Sequence, residues 1–227
     1  MLMRGMSKSI EILPCVCYNI SKVALVCMFI FTLLFTMFVV FLIPVYTYYY
    51  GVQNFLWLSD IGLFLTMIAL WKQSVLVMSM AAVGMLAVEL LWWVDFFAYL
   101  FFGINLINLA GYMFDSTYPL MLRAISLFHI VTPIVWILFL FHYGYDTRAF
   151  VYITFLYWII LLITYNATLP KENINWVFTP YIHQWQHVSP LVWVMCLAVA
   201  LPVFVFLPTH MLYKKLFNIN VQHRGSQ

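Results

Sequence analysis

Apolar residues in this chain come in long unbroken blocks, not in a period-2 alternation or a narrow helical stripe. Six blocks stand out: Val23–Tyr46, Asn54–Trp71, Val75–Val94, Pro119–Phe141, Ala149–Tyr165 and Pro190–Tyr213. Each falls in the range of about 17–25 residues that a helix needs to cross a bilayer core of roughly 30 Å. A membrane barrel would show short alternating segments, which are absent here. The pattern predicts an all-α, polytopic transmembrane helical bundle of six spans. Around it lie a short N-terminal segment (residues 1–22) and a basic tail (residues 214–227), with the bundle itself in 23–213. One stretch is ambiguous. Phe96–Tyr112 is apolar but interrupted by Gly103, Asn105, Asn108 and Gly111, so it reads as a seventh span, a re-entrant element or an interfacial helix.

Composition sharpens this picture. Hydrophobic residues make up 66% of the chain and charged residues 7%, with a mean hydropathy of +1.00. A soluble domain carries roughly 25% charged residues, so water cannot be the main solvent. Backbone groups in lipid must pair within the protein, which again selects helices. The basic N-terminus followed by an apolar run resembles a signal peptide. The run is too long and lacks a small-residue cleavage site, so it reads as the first span. The four cysteines (Cys15, Cys17, Cys27 and Cys196) sit in or beside spans and form no disulfide framework. Basic residues stand singly between apolar runs, which argues against nucleic acid as a partner and leaves membrane lipids.

Charge also chooses an orientation. With six spans and the N-terminus inside, Arg4, Lys8, Lys22, Lys72, Arg148, Lys214, Lys215 and Arg224 face the cytoplasm, and only Arg123 and Lys171 face outward. That distribution obeys the positive-inside rule. A seventh crossing at Phe96–Tyr112 would flip every later charge and weaken the asymmetry. Both termini are therefore expected in the cytoplasm, with Phe96–Tyr112 in the outer leaflet. Tyr46, Tyr48, Tyr49, Tyr50, Trp92, Trp93 and Trp185 suit headgroup belts.

Ionisable residues inside spans cost roughly 2.5–3.5 kcal/mol each on insertion scales, so each needs a reason. On this topology they share the outer half. Asp60 lies about 9 Å below the outer end of its span and Glu89 at a similar depth. Asp95 marks the outer end of the third block, and Arg123 sits one turn into the fourth. His129 lies about 15 Å deep, near the midplane. Asn166 closes the fifth block, and the loop after it brings Glu172, Asn173, Asn175, His183 and His187. A polar cavity opening outward is expected. Structural readings stand beside this one: an Asp60–Arg123 ion pair, Glu89 bonded to a Trp or Tyr, a satisfied core His129, interfacial His142 and His210, and Asp115 as a helix cap.

Three constellations carry possible chemistry. In the first, a hydroxyl (Ser59, Thr66 or Ser126) is activated by His129, which Asp60 orients; this is the logic of acyl transfer. Ser59 and Asp60 point about 100° apart on a helix, so only one of them faces His129. In the second, His183 and His187 at i, i+4 spacing bind a metal with Asp60, Glu89 or His129; a belt helix is the competing reading. In the third, the loop Pro170–Phe178 caps the cavity, with Asn173, Asn175 and Trp176 contacting a headgroup or oxyanion. Asn166-Ala167-Thr168 also matches a glycosylation acceptor pattern.

The strings Asn54-Phe55-Leu56-Trp57-Leu58-Ser59-Asp60, Tyr112-Met113-Phe114-Asp115, Ser126-Leu127-Phe128-His129 and Glu172-Asn173-Ile174-Asn175-Trp176-Val177-Phe178 resemble a bacterial family of uncharacterised multi-pass membrane-associated proteins. That resemblance covers roughly residues 54–213 and implies a bacterial inner-membrane protein with no assigned reaction. More distantly, the chain is similar to androgen-induced-type membrane fatty-acid-ester hydrolases and to ether-phospholipid acyltransferases. Those groups imply a nucleophile at Ser59 or a neighbour and a histidine at His129. Asp60 occupies the polar slot where a Thr or Cys nucleophile would stand. The resulting expectation is a lipid-active acyl hydrolase or acyltransferase, with His129 as base, Asp60 and Ser59 in support, and Arg123, Glu89, Asn166, Asn173, Asn175 and Trp176 binding substrate. The alternatives are a proton-coupled or small-solute transporter using Asp60, Glu89 and His129, a metal-dependent hydrolase, and a non-catalytic accessory subunit. Cofactors are not specified by the sequence.

Overall fold

The computed structural model describes the backbone of residues 8–180 and 188–224, and the side chains of residues 25–180 and 188–217. His183, Trp185 and His187, and with them the expected metal pair, lie outside the described residues. The chain forms two compact units, Met1–Phe41 and Leu42–Gln227. The described part of the first unit is a single helical run, in which Thr32 and Thr36 return their hydroxyl protons to the carbonyls of Met28 and Thr32.

All regular elements among the described residues are helical. α1 spans Lys8–Tyr50, α2 Leu58–Lys72, α3 Val75–Phe102, α4 Leu120–Ile125, α5 Phe128–Tyr143, α6 Ala149–Ala167, α7 Pro190–Leu201 and α8 Leu207–Arg224. A π-helical turn over Pro202–Phe206 joins α7 to α8. Five helical stretches are long and apolar enough to cross a membrane: Leu25–Tyr50, Val75–Phe102, Leu120–Tyr143, Ala149–Ala167 and Pro190–Phe217. The chain is therefore an integral, multi-pass membrane protein. The expected second span is the short element. α2 has 15 residues, about 22 Å of helix, preceded by a 3₁₀ turn over Val52–Leu56.

Local chemistry explains the boundaries. Gln73 adopts a left-handed conformation (φ 49°) that ends α2, and the Ser74 hydroxyl accepts the Val77 N–H to cap α3. This turn is so short that α2 and α3 fold back on each other as a hairpin. α3 continues past the expected end at Val94 to Phe102, where Gly103 (φ 67°) turns the chain and the N–H groups of Gly103 and Ile104 cap the carbonyls of Tyr99 and Ala98. Phe96–Tyr112 is therefore not an element of its own, and no seventh span arises from it. Its first part completes α3. The rest folds back as a loop, which Asp95 holds by accepting the N–H groups of Leu106, Ile107 and Ala110 at 3.0, 2.9 and 2.8 Å.

α3 is the hub, packed against α2, α5 and α6. Its buried face carries Ser79, Ala81, Ala82 and Gly84, small residues that let helices approach closely without a hydrophobic drive in lipid. A Cβ on Gly84 would stand 2.7 Å from Ile153 Cγ1, so α6 could not lie where it does with any larger residue there. Prolines lie inside three spans (Pro44, Pro133, Pro202 and Pro208), and at Pro133 and Pro202 side chains take the freed carbonyls. Pro133 cannot donate to the His129 carbonyl, which takes the Trp93 indole N–H instead at 2.7 Å. Pro202 frees the Ala198 carbonyl, which takes the Trp158 indole N–H at 2.8 Å; next to it the Leu197 carbonyl takes the Tyr157 hydroxyl at 3.1 Å.

Candidate functional site

The ends of α1, α3 and α6 and the starts of α2, α4 and α7 meet at one loop-rich end of the second unit. The contacts that gather them are polar. Gln53 donates to Glu172 at 2.8 Å. Asn175 accepts the Leu58 N–H at 3.0 Å and donates to the Leu56 carbonyl at 2.7 Å, pinning the start of α2 to the loop after α6. Trp57 packs edge-on against Trp176, whose carbonyl accepts the Trp193 indole N–H at 2.6 Å.

Below this rim, His129 Nδ1 meets Glu89 Oε2 at 2.7 Å, with Glu89 2% exposed. The sequence pointed to Asp60 as the group orienting His129; in the structure the carboxylate in contact is Glu89. The helix register explains this. Glu89, Trp92, Trp93 and Phe96 recur on one face of α3 at spacings of three, four and seven residues, and that face lies against α5. Trp92 stacks on the His129 ring at a centroid distance of 4.9 Å, and Trp93 holds its carbonyl. The imidazole is thus fixed by a carboxylate on Nδ1, an aromatic face and an anchored backbone. With Nδ1–H donating to Glu89, Nε2 carries the free lone pair and has no hydrogen-bond partner among the described residues.

The remaining expected site residues are placed as follows. Asp60 is 2% exposed, accepts from Asn54 Nδ2 at 3.1 Å through Oδ2, and leaves Oδ1 without a partner. It lies within electrostatic range of Glu89 and of Tyr46. It forms no ion pair with Arg123; among the described residues the ion pairs are His129–Glu89 and Arg148–Asp146. Arg123 donates through Nη1 to the Met113 carbonyl at 3.3 Å, and its buried Nε is unpartnered. Ser59 is half-buried and takes no part in the network. Thr66 is fully buried, donating to Gly62 O and accepting the Trp136 indole N–H, both at 2.6 Å. Neither hydroxyl touches His129.

Two hydroxyls lie three residues from His129 in sequence: that of Thr132, which donates to the Phe128 carbonyl at 2.9 Å, and that of Ser126, at the break between α4 and α5. The Ser126 hydroxyl donates to the Leu122 carbonyl at 3.0 Å, so the Tyr46 hydroxyl is the donor in their 3.1 Å contact. Tyr112 also interacts with Ser126 and with Trp92. Tyr46 and Tyr112 are the partners that sequence reasoning missed. Tyr46 lay in a tyrosine run that suits a headgroup belt, and Tyr112 lay in the ambiguous stretch.

The loop asparagines are structural fasteners. Asn173 accepts the N–H groups of Phe178 and Thr179 and donates to Thr179, closing the turn on itself. Asn166 is exposed and bonds back to the Leu162 carbonyl of its own helix. Asp115 accepts the Thr117 N–H at 2.8 Å, so it caps a turn and not the helix; Pro119 begins α4 without a side-chain cap. Among the described residues no group of three or more His, Cys, Asp or Glu side chains is placed to hold a metal ion.

The opposite end is different in kind. There Ser79 accepts the Asp146 N–H at 3.1 Å and Tyr145 meets His210 Nδ1 at 2.6 Å, which fastens the turn between α5 and α6 to α3 and α8. Between these contacts and His129 the described spans carry no Asp, Glu, Lys, Arg or His side chain. No family model, curated protein or solved structure matches the chain, so its function is read from this geometry.

Proposed function

We propose that the protein is a membrane-embedded lipid ester hydrolase or acyltransferase in which His129 is the general base and Glu89 holds and charges it. The observation that carries this reading is the 2.7 Å Glu89–His129 contact, a buried carboxylate on a largely buried imidazole inside the bundle. A carboxylate on Nδ1 fixes the tautomer and stabilises the imidazolium that forms when Nε2 takes a proton. In the reaction, Nε2 removes a proton from water, or from an acceptor alcohol, as its oxygen attacks the ester carbonyl of a lipid. The tetrahedral adduct then expels the alkoxide, which takes the same proton from Nε2. No covalent enzyme intermediate is needed, in keeping with Ser59, Thr66 and Ser126 all standing outside hydrogen-bond contact with the imidazole. Arg123, with a donor to spare, binds the anionic part of the headgroup.

We place α2 as a sixth crossing, with both termini cytoplasmic and the loop-rich end facing outward. The hairpin with α3 and the distribution of basic residues support this. A transport function would need polar groups leading from the dyad to the other end. The described spans supply only the Thr66–Trp136 pair and isolated hydroxyls there, which favours chemistry over passage.

The test is turnover. Purified protein in detergent micelles should release fatty acid from a panel of acyl-ester lipids. His129→Ala should lower the rate by roughly 10²–10⁴-fold, the range of general-base catalysis, while the variant elutes and melts as a folded protein. Ser59→Ala should keep its rate. Full activity in His129→Ala would end the proposal, and equal loss in Ser59→Ala would replace it with a covalent route.

A further inference from the structure

The dyad and Arg123 leave unassigned an open pocket of about 580 Å³ at the loop-rich end. It is lined by the aromatic residues Tyr99, Tyr112, Phe114 and Tyr118, by the carboxamides of Asn105 and Asn108, and by Asp115. Tyr99 stacks on Phe114 at 4.2 Å, and Tyr112 meets Tyr118 edge-on at 6.1 Å. No basic side chain lines it. The Thr117 N–H holds the Asp115 carboxyl below the usual carboxylate range, so the group is anionic at neutral pH.

The pocket is built, not a gap between loose loops. Asp95 fixes the loop behind it through three N–H groups. Asn105 donates to Asn108 at 2.7 Å, and the Asn108 carboxamide lies over Gly111, where a Cβ would force it to move. Aromatic faces beside one carboxylate suit a large, weakly hydrated cation. A quaternary ammonium wants ring faces and a nearby negative charge. Arg123 adds the second half. It lies within electrostatic range of Asp115, and its buried Nε lacks a partner. A cation cage next to a guanidinium with an unused donor matches a zwitterion. The pocket also communicates with the dyad. Phe114 contacts Phe96, Phe96 stacks on Trp92 and Trp92 stacks on His129, at centroid distances of 5.3, 5.0 and 4.9 Å.

We propose that this pocket binds a phosphocholine group, with the trimethylammonium among Tyr99, Tyr112, Phe114 and Tyr118 against Asp115 and the phosphate paired to Arg123. The assignment rests on the ester-hydrolase reading and names the headgroup of its substrate.

Isothermal titration of the full chain in maltoside micelles tests it, because that detergent carries no choline. Glycerophosphocholine should bind at least roughly tenfold more tightly than glycerophosphoethanolamine. Tyr118→Ala and Asp115→Asn should each weaken it by roughly tenfold, and Tyr118→Phe, which keeps the ring, should restore it. Tyr118 and Asp115 are exposed, and Asn at 115 keeps the acceptor for the Thr117 N–H, so both variants should fold. Native mass spectrometry with mixed lipids separates the sources. Selective retention of phosphatidylcholine identifies the lipid headgroup, and selectivity confined to the soluble diester identifies a free phosphocholine compound. His129→Ala should bind as the unmodified protein does; intact binding without turnover in any form of the protein would indict the reaction and not the pocket. Equal affinity for the two glycerophosphodiesters, or undiminished binding by both Tyr118→Ala and Asp115→Asn, would overturn the assignment.

Discussion

Glu89 and His129 depend on each other in a way that two substitutions separate. Glu89→Ala leaves the Nδ1–H of a largely buried ring without an acceptor, a loss of about 1–3 kcal/mol. Glu89→Gln keeps an acceptor there but removes the charge that stabilises the imidazolium. The expected outcome is a clear drop in melting temperature for Glu89→Ala, little change for Glu89→Gln, and a large fall in turnover for both. A Glu89→Gln enzyme with full activity would show that the carboxylate only positions the ring. Asp146, in the turn between α5 and α6, makes a pH-dependent contribution instead. Its hydrogen bonds from Arg148 hold the carboxyl below its ordinary range. A depressed folded-state pKa stabilises the protein above the unfolded value of about 4, and that stabilisation is lost as pH falls through the folded value. Asp146→Asn should therefore flatten the acid limb of a plot of melting temperature against pH, lowering the melting temperature modestly at neutrality and changing little at acid pH, where the native carboxyl is protonated. At this scale the sequence showed which residues were costly, because charge in an apolar block is visible without coordinates. It did not show the pairing. Glu89 and Asp60 sit at similar depths, and only the rotation of α3 and α2 about their axes puts one against His129 and the other against Asn54.

Helices in this bundle are broken by prolines and mended by tryptophans, and the mending can be measured. The His129 carbonyl takes the Trp93 indole N–H because Pro133 offers it none. Trp93→Phe should strand that carbonyl and cost about 1 kcal/mol, in the range of interhelical hydrogen bonds within membranes. Pro133→Ala restores a backbone N–H at the same place. In the Pro133→Ala background the Trp93→Phe penalty should fall toward zero, so the double-mutant cycle should show coupling close to the whole single-mutant effect. Additive losses in thermal unfolding would mean that Trp93 contributes packing alone. The blocks of apolar residues located the elements well because lipid demands continuous helix. They misjudged the end of α3, which outruns Val94 to a loop that Asp95 holds through backbone groups the sequence alone does not bring near. The fourth block breaks at Ser126, whose hydroxyl returns to the Leu122 carbonyl one turn back.

Whether the whole molecule crosses the membrane six times turns on α2. Its 15 residues give about 22 Å of helix, less than a core of roughly 30 Å. In the proposed six-span arrangement three features accommodate so short a helix. The 3₁₀ turn over Val52–Leu56 extends it toward the loop-rich end. Asn175 satisfies the Leu58 N–H and the Leu56 carbonyl, so the start of the helix need not reach water to be paired. Lys72 lies in the last turn, where its long side chain reaches the interface from a buried backbone. Because Gln73 and Ser74 alone join α2 to α3, the two helices must run in opposite directions, and every later connection alternates sides. Single cysteines placed in a background with all four native cysteines replaced make this measurable with a membrane-impermeant maleimide on intact cells. Asn105→Cys and Lys171→Cys should label from outside. Lys72→Cys and Arg148→Cys should label only after the cells are opened. If α2 instead lay along the surface, Lys72 and Asn105 would exchange sides while the N-terminal residues kept theirs. Labelling of Arg148→Cys in intact cells would thus overturn the six-span arrangement and turn the Glu89–His129 site toward the cytoplasm, where a different pool of lipid would meet it.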